Sequence, residues 1–246
     1  MKLKNILKIK EVIIYMDKAI IGIVAKHKKT DSIRTDSLIR DEMKQAIFDN
    51  GGIAIGILSP NEEILYTDDN WKNDENKLDK ENIINQINLC DGIILQGGSE
   101  SEVFEPFIAK YCYDNDIPCL GICAGQNNIV RGIGGSIFKI SNPKKHSKPN
   151  EDYVHNIKIT DLNSKFYKII KKEEINVNSR HKNAIEKHPL LNVVAVCDDN
   201  YKEVVEANNK EFYIGVRFHP ESLYKIDENM NNIFKKFIEV CKIKIK

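Results

Sequence analysis

Residues Ile117-Pro-Cys-Leu-Gly-Ile-Cys-Ala-Gly-Gln126 read as a strand, a sharp turn and the start of a helix. A short apolar run ends at Ile122, Cys123 occupies the turn, and Gly125 opens the helical pattern. Glycine on either side of a turn residue lets the backbone take a strained conformation without side-chain clashes. The helix that follows aims its free N–H groups and positive dipole end at the sulfur, which favours the thiolate. A free cysteine with a pKa near ~8.5 is only a few per cent ionised at neutral pH, so a shift of about two units decides reactivity. Taken alone, the stretch fits a buried strand-end cysteine and an activated thiol equally well.

Upstream, Ala19–Ala25, Ile53–Leu58 and the run after Asp91 are continuous apolar segments of strand length, as expected for strands covered on both faces. Lys26 to Asp36 reads as a polar loop. A helix fits Ser37–Asn50, with Ile39, Met43, Ala46 and Ile47 on one stripe and Gly51-Gly52 as its stop. Tyr66–Lys80 reads as a surface loop with Trp71 partly packed, and a helix follows to Leu89. The strand after Asp91 runs into Gly97-Gly98 and then a helix carrying Val103, Phe104, Phe107, Ile108 and Tyr111. This alternation predicts a parallel sheet with right-handed crossovers, and sites beyond the carboxyl ends of its strands. Gly97-Gly98 and Cys123 both belong at that edge.

Downstream the texture changes. Gly132–Lys139 is glycine-rich with a short strand, and Asn142–Asp152 is a polar loop. Tyr153–Ile159, Ile175–Asn178, Val193–Cys197, Glu203–Ala207 and Phe212–Phe218 read as strands of mainly antiparallel type, with a hairpin turn at Asp198-Asp-Asn200. Met230, Ile233, Phe234, Phe237, Ile238 and Cys241 mark one face of a last helix. The expected fold class is α/β, a mainly parallel sheet flanked by helices with a small antiparallel addition. Residues 19–246 form one domain in this reading, and residues 1–18 an N-terminal extension.

The charges nearly cancel, with 37 Lys and Arg against 36 Asp and Glu, so no bulk field points to nucleic acid or an acidic membrane. Six cysteines without a Cys-x-x-Cys pair read as reduced thiols in a core, so neither a disulfide framework nor a zinc site is expected. Lys10 and Glu11 interrupt any signal-peptide core, and no stretch approaches the ~20 apolar residues of a membrane span. A cytoplasmic setting follows as the expectation, with no metal or cofactor.

A cysteine nucleophile needs a base, and the base needs an orienting group. His27, His146 and His155 have no supporting pattern and are assigned to the surface, and His188 to a turn before Pro189. His219 ends the apolar strand through Phe218 and is followed by Pro220 and Glu221. Proline fixes that turn, so His219 and Glu221 leave the sheet edge in a defined relation.

Together, Gly121-Ile-Cys-Ala-Gly125, Leu95-Gln-Gly-Gly-Ser99 and His219-Pro-Glu221 resemble the class I glutamine amidotransferases, most of all the stand-alone γ-glutamyl-γ-aminobutyrate hydrolase branch, peptidase family C26. The resemblance extends from Ala19 to Cys241 and includes Val177-Asn-Ser-Arg-His181. It implies a flavodoxin-like sheet of the glutamine amidotransferase type and a triad of Cys123, His219 and Glu221. It implies an oxyanion hole from the backbone N–H groups of Gly98 and Ala124, a donor of this kind being worth roughly 2.7–4 kcal/mol in a transition state. Ser179 and His181 match a segment at the active-site mouth and are assigned to substrate contact or loop ordering. Asn127 stands where the family usually has glutamine, with Gln126 beside it, and both are carried as substrate-binding positions. Gln96 replaces a usual proline, and Lys182 and Asn183 replace a usual histidine and glutamine; these changes are placed at the pocket rim.

The function so implied is hydrolysis of a small γ-glutamyl amide through a γ-glutamyl thioester. The alternatives are a glutaminase subunit delivering ammonia to a synthase partner, and a γ-glutamyl-binding protein with an impaired site. A small γ-glutamyl substrate is the expected partner, neither nucleic acid nor membrane is, and a homodimer is compatible with the sequence.

Overall fold

The computed structural model describes residues 18–29, 35–61, 71–98 and 102–243. Apart from Lys18, the expected N-terminal extension lies outside them. Strand β1 (Ile20–Val24) leads into a hairpin of β2 (Lys26–Lys29) and β3 (Thr35–Leu38), then helix α1 (Asp41–Asp49) and β4 (Ile53–Ile57). A 3-10 turn at Trp71–Lys77 precedes α2 (Lys80–Ile87), β5 (Gly92–Leu95), α3 (Phe104–Asp114), β6 (Cys119–Ile122) and α4 (Ala124–Gly132). The chain continues through β7 (Ser136–Lys139), β8 (His155–Ile159), α5 (Lys165–Ile170), β9 (Glu174–Val177) and β10 (Asn183–Lys187). It ends with β11 (Asn192–Cys197), β12 (Lys202–Glu206), β13 (Tyr213–Val216) and α6 (Glu228–Ile243).

Among the described residues the main sheet has the order β4-β1-β5-β6-β13-β12-β11-β8-β9. The first five strands are parallel, and β13 is the seam, parallel to β6 and antiparallel to β12. Small antiparallel pairs, β2 with β3 and β7 with β10, complete the architecture expected from the sequence.

The unbroken apolar runs have a simple cause: consecutive residues enter opposite cores. In β5, Ile94 joins one cluster while Ile93 and Leu95 join the other. In β6, Leu120 and Cys119 divide in the same way. One core is filled by Met43 and Ile47 of α1, Phe166 of α5 and Ile233, Phe234 and Phe237 of α6. The other takes Ile83 and Ile87 of α2, Phe107 and Ile108 of α3 and Ile129 of α4. Burying each such aliphatic or aromatic side chain contributes about 1.5–3 kcal/mol.

Three local expectations change. The stretch after Ala25 is a hairpin rather than a loop, with Lys26 paired to Leu38, so α1 starts four residues later than its apolar stripe suggested. Trp71 is buried, and its indole N–H donates to the carbonyl of Arg131 at 3.0 Å. Helix α5 was not anticipated, although Ser164 caps it by accepting from the N–H of Tyr167 at 2.9 Å, a local signal present in the sequence. No helix among the described residues is long and apolar enough to cross a membrane.

Candidate active site

Strands β5, β6 and β13 are adjacent and parallel, so their carboxyl ends finish at one edge. Leu95 is in register with Gly121, Val216 with Ile122, and the N–H of Cys123 donates to the carbonyl of Val216 at 2.8 Å. Cys123 follows the end of β6 directly, and Gly97-Gly98 and His219 lie within three residues of the ends of β5 and β13.

Cys123 adopts φ 52° and ψ −103°, a left-handed turn that a side chain takes only under constraint, at a cost of order 1–3 kcal/mol. The constraint is visible: its N–H is held by β13, and its carbonyl accepts from Gln126 and Asn127 in the first turn of α4. A Cβ on Gly125 would lie 1.9 Å from the carbonyl oxygen of Leu95, so glycine is what lets α4 sit against β5 directly behind the cysteine. Gly98 has φ +135°, a region open essentially to glycine. The first N–H groups of α4 have no intrahelical acceptors and carry the positive end of its dipole.

His219 is buried, and its Nδ1 lies 2.7 Å from Oε1 of Glu221. A carboxylate only accepts, so Nδ1 carries the proton and Nε2 is the nitrogen left for the thiol. Burial by itself pulls the His219 pKa down; the charge of Glu221 and then that of Cys123 outweigh it, pushing the value up to about 10. The backbone of His219 is clamped from both sides by Asn178, whose Oδ1 accepts from its N–H at 2.7 Å and whose Nδ2 donates to its carbonyl at 2.9 Å. Sequence reasoning passed over Asn178 in favour of its neighbour Ser179; the pairing joins residues 41 positions apart and has no local signature. Other cysteines are poorly placed to react. Burial pushes the Cys90 thiol up to about 12, Cys197 to about 11, and Cys119 well above its ordinary value. Cys123 is half-buried, and unlike the equally half-buried Cys90 it stands at a helix N-terminus.

A cavity of about 150 Å³ opens at this edge, lined by Gly98, Cys123, Ala124, Arg180, Lys182 and Arg217. Asn127 and His181 also line it. Asn127 is anchored, its Oδ1 accepting from Nη1 of the buried Arg217 at 2.5 Å. The remaining expected contacts are placed elsewhere. Gln126 is fully buried, and its amide donates to the carbonyls of Glu203 and Gly215 at 3.0 and 3.1 Å, because the helix turns this position towards the sheet. Ser179 donates to the carbonyl of His146 at 2.5 Å, which orders the loop below the cavity. Gln96 is not at the rim either: buried, it accepts from the N–H of Arg40 and donates to the carbonyls of Val24 and Leu38. It therefore ties β1 and β3 together beneath Gly97-Gly98.

The histidines assigned to the surface also move inward. His146 is 4 % exposed, His155 is half-buried, and His27 is half-buried with its Nδ1 2.9 Å from Glu102.

The Peptidase C26 family model matches residues 99–221, half of the chain. A glutamine-hydrolyzing GMP synthase subunit of Methanococcus aeolicus is 33% identical over 156 residues, covering 61% of this chain and 73% of that protein. CTP synthase of Chlamydia muridarum is 28% identical over 201 residues, 66% of this chain but 36% of that protein, so the chain spans about a third of the length of the CTP synthases it matches. The CTPS glutaminase domain of Trypanosoma brucei, solved with acivicin bound, has the same fold, with a TM-score of 0.58 over 91% of this chain and 94% of that one at 17% identity.

Proposed function

The chain belongs to the Peptidase C26 family of the class I glutamine amidotransferase-like superfamily, and from that premise we propose that it hydrolyses γ-glutamyl amides, with Cys123 as nucleophile, His219 as proton carrier and Glu221 as its orienting partner. The observation that carries this reading is a buried His219 bonded to Glu221 and electrostatically coupled to Cys123, itself held in a left-handed turn at a helix N-terminus.

In the free site His219 holds the proton and Cys123 the negative charge. The sulfur attacks the γ-carboxamide carbon, and the resulting oxyanion faces the N–H groups of Gly98 and Ala124. As the C–N bond breaks, His219 gives its proton to the leaving amine. Acylation has by then removed the thiolate, one of the groups that raise the His219 pKa, so the proton leaves more readily. The neutral imidazole next takes a proton from water, which attacks the thioester, releases glutamate and restores the ion pair. Arg180, Lys182 and Arg217 supply positive charge for the α-carboxylate of the glutamyl group, and Asn127, anchored on Arg217, faces the same end.

A second reading is a glutaminase component that passes ammonia to a synthase partner. It is favoured by the similarity to the GMP synthase subunit and to CTP synthase. Acivicin, glutamine and a panel of γ-glutamyl amines, read by mass spectrometry, test both. A covalent adduct on Cys123 is expected, with glutamate release reduced at least ~10³-fold in Cys123→Ala. Release that depends on an added synthase selects the second reading. The absence of both adduct and turnover above Cys123→Ala rejects the two together.

A further inference from the structure

Next to the pocket, which His181 also lines, four side chains from separate parts of the chain meet. His146 comes from the loop before β8, His155 from the start of β8, His181 from the segment between β9 and β10, and Glu203 from β12. One donor atom from each lies within 4.8 Å of the others. His146 and His181 have ring centroids 5.0 Å apart, and His146 and His155 5.3 Å.

The ring nitrogens are sorted in a telling way. Nε2 of His146 faces Oδ2 of Asp199 at 3.1 Å, Nδ1 of His155 faces the carbonyl of Asn156 at 3.3 Å, and Nδ1 of His181 faces the carbonyl of Asn183 at 3.0 Å. Each of these partners only accepts, so each ring donates its proton outward. The opposite nitrogens, His146 Nδ1, His155 Nε2 and His181 Nε2, are buried with no hydrogen bond of ordinary length, as are both carboxylate oxygens of Glu203, whose Oε1 approaches Nε2 of His181 only to 3.5 Å. Three lone pairs and a carboxylate thus converge on one point. Outward donation of this kind is what orients histidine ligands around a metal ion. Without such an ion, a cluster of acceptors facing one another carries an unrelieved desolvation cost.

We infer that His146, His155, His181 and Glu203 form a closed, structural site for a divalent ion of the zinc type. Tetrahedral Zn²⁺ with nitrogen and oxygen ligands at ~2.0–2.1 Å places its donor atoms about 3.3 Å apart. Glu203 Oε1 already lies 3.5 Å from Nε2 of His181 and 3.8 Å from Nε2 of His155. Three imidazoles and one carboxylate suit zinc among the divalent ions, and four protein ligands leave no open position for substrate. The field of Arg217 reaches both Glu203 and His181 and opposes a cation there, so direct ligation rather than net charge must hold the ion. A cavity of about 340 Å³ bounded by Lys145, Lys148, Val154 and Cys197 gives it a path in. The ion would pin the His146 loop, β8, the strip containing Arg180 to Lys182, and β12 to one another. Positions 146, 155, 181 and 203 follow no ligand spacing, so the sequence alone carries no sign of such a site.

The test uses full-length Cys123→Ser protein, so that the active-site thiol is not a ligand, stripped with chelator and titrated with Zn²⁺ against a chromophoric competitor. One Zn²⁺ per chain is expected, with a thermal midpoint raised by several degrees. His155→Gln and Glu203→Gln should each weaken binding by about tenfold or more. His155 is half-buried at a strand start, so His155→Gln decides the matter if the Glu203 variant does not fold. Zn²⁺ uptake unchanged by His155→Gln, or no stoichiometric uptake at all, overturns the site. The readout is metal binding, so the outcome is independent of the hydrolase reading.

Discussion

His219 sits between opposing effects, because its burial favours the neutral ring while Glu221 and Cys123 favour the charged one. The second pair wins, and that sets a pH window. The imidazolium persists until pH nears about 10, so kcat/KM, which needs that proton for the leaving amine, should hold across neutral pH and fall on that alkaline limb, while alkylation of Cys123, which needs only the thiolate, should not fall with it. Glu221→Gln removes the largest opposing charge and leaves burial in control. The limb should then move to lower pH, with kcat reduced by ~10²–10⁴-fold; a limb that stays in place would show that Glu221 does not set the histidine's charge. The same sign applies to stability. A pKa raised on folding stabilises the native state fully below 6.5, and the contribution declines as pH rises from there to about 10. Asn127 belongs at this scale too. Its amide is held by Arg217, so the shorter side chain acts as part of a fixed polar wall.

Helix α4 and strand β5 form the element pair on which the turn depends. Their separation at Gly125 leaves no room for a methyl group, since the atom in the way is backbone and cannot rotate aside. Gly125→Ala should therefore push α4 off the sheet. Overpacking of this type costs about 1–3 kcal/mol, or about 2–12 °C in thermal midpoint for a chain of this size. Calorimetry, together with the Cys123 alkylation rate, checks it: both midpoint and rate should drop, and an unchanged midpoint would mean that the helix relaxes freely. The Gly-x-Cys-x-Gly pattern is thus a packing requirement as much as a conformational one.

At the scale of the whole molecule, one hydrogen-bonded sheet separates two cores, and we propose that both unfold as a unit. Trp71, the single tryptophan, reports on the α2–α3–α4 face, while Phe234 lies fully buried in the other. Phe234→Ala should cost about 3–5 kcal/mol. If the cores are coupled, the urea midpoint by Trp71 fluorescence falls together with that by circular dichroism. A tryptophan transition left at its wild-type midpoint would separate the chain into two cooperative units.

What the sequence determined by itself was whatever short-range geometry encodes: the apolar strands, the cysteine turn between its glycines, and the relation of His219 to Glu221 two residues on. Strand–helix alternation then sufficed to put Cys123 and Gly97-Gly98 at one edge, because parallel crossovers align the carboxyl ends of strands. Only the tertiary structure decided what depends on contacts between distant residues. The Asn178 clamp, the Arg217 anchor on Asn127 and the inward turn of Gln126 each join residues tens of positions apart, and the meeting of His146, His155, His181 and Glu203 draws on a span of 57. A polar residue looks the same in sequence whether it faces water or a buried partner, so its role appears only when the fold supplies that partner.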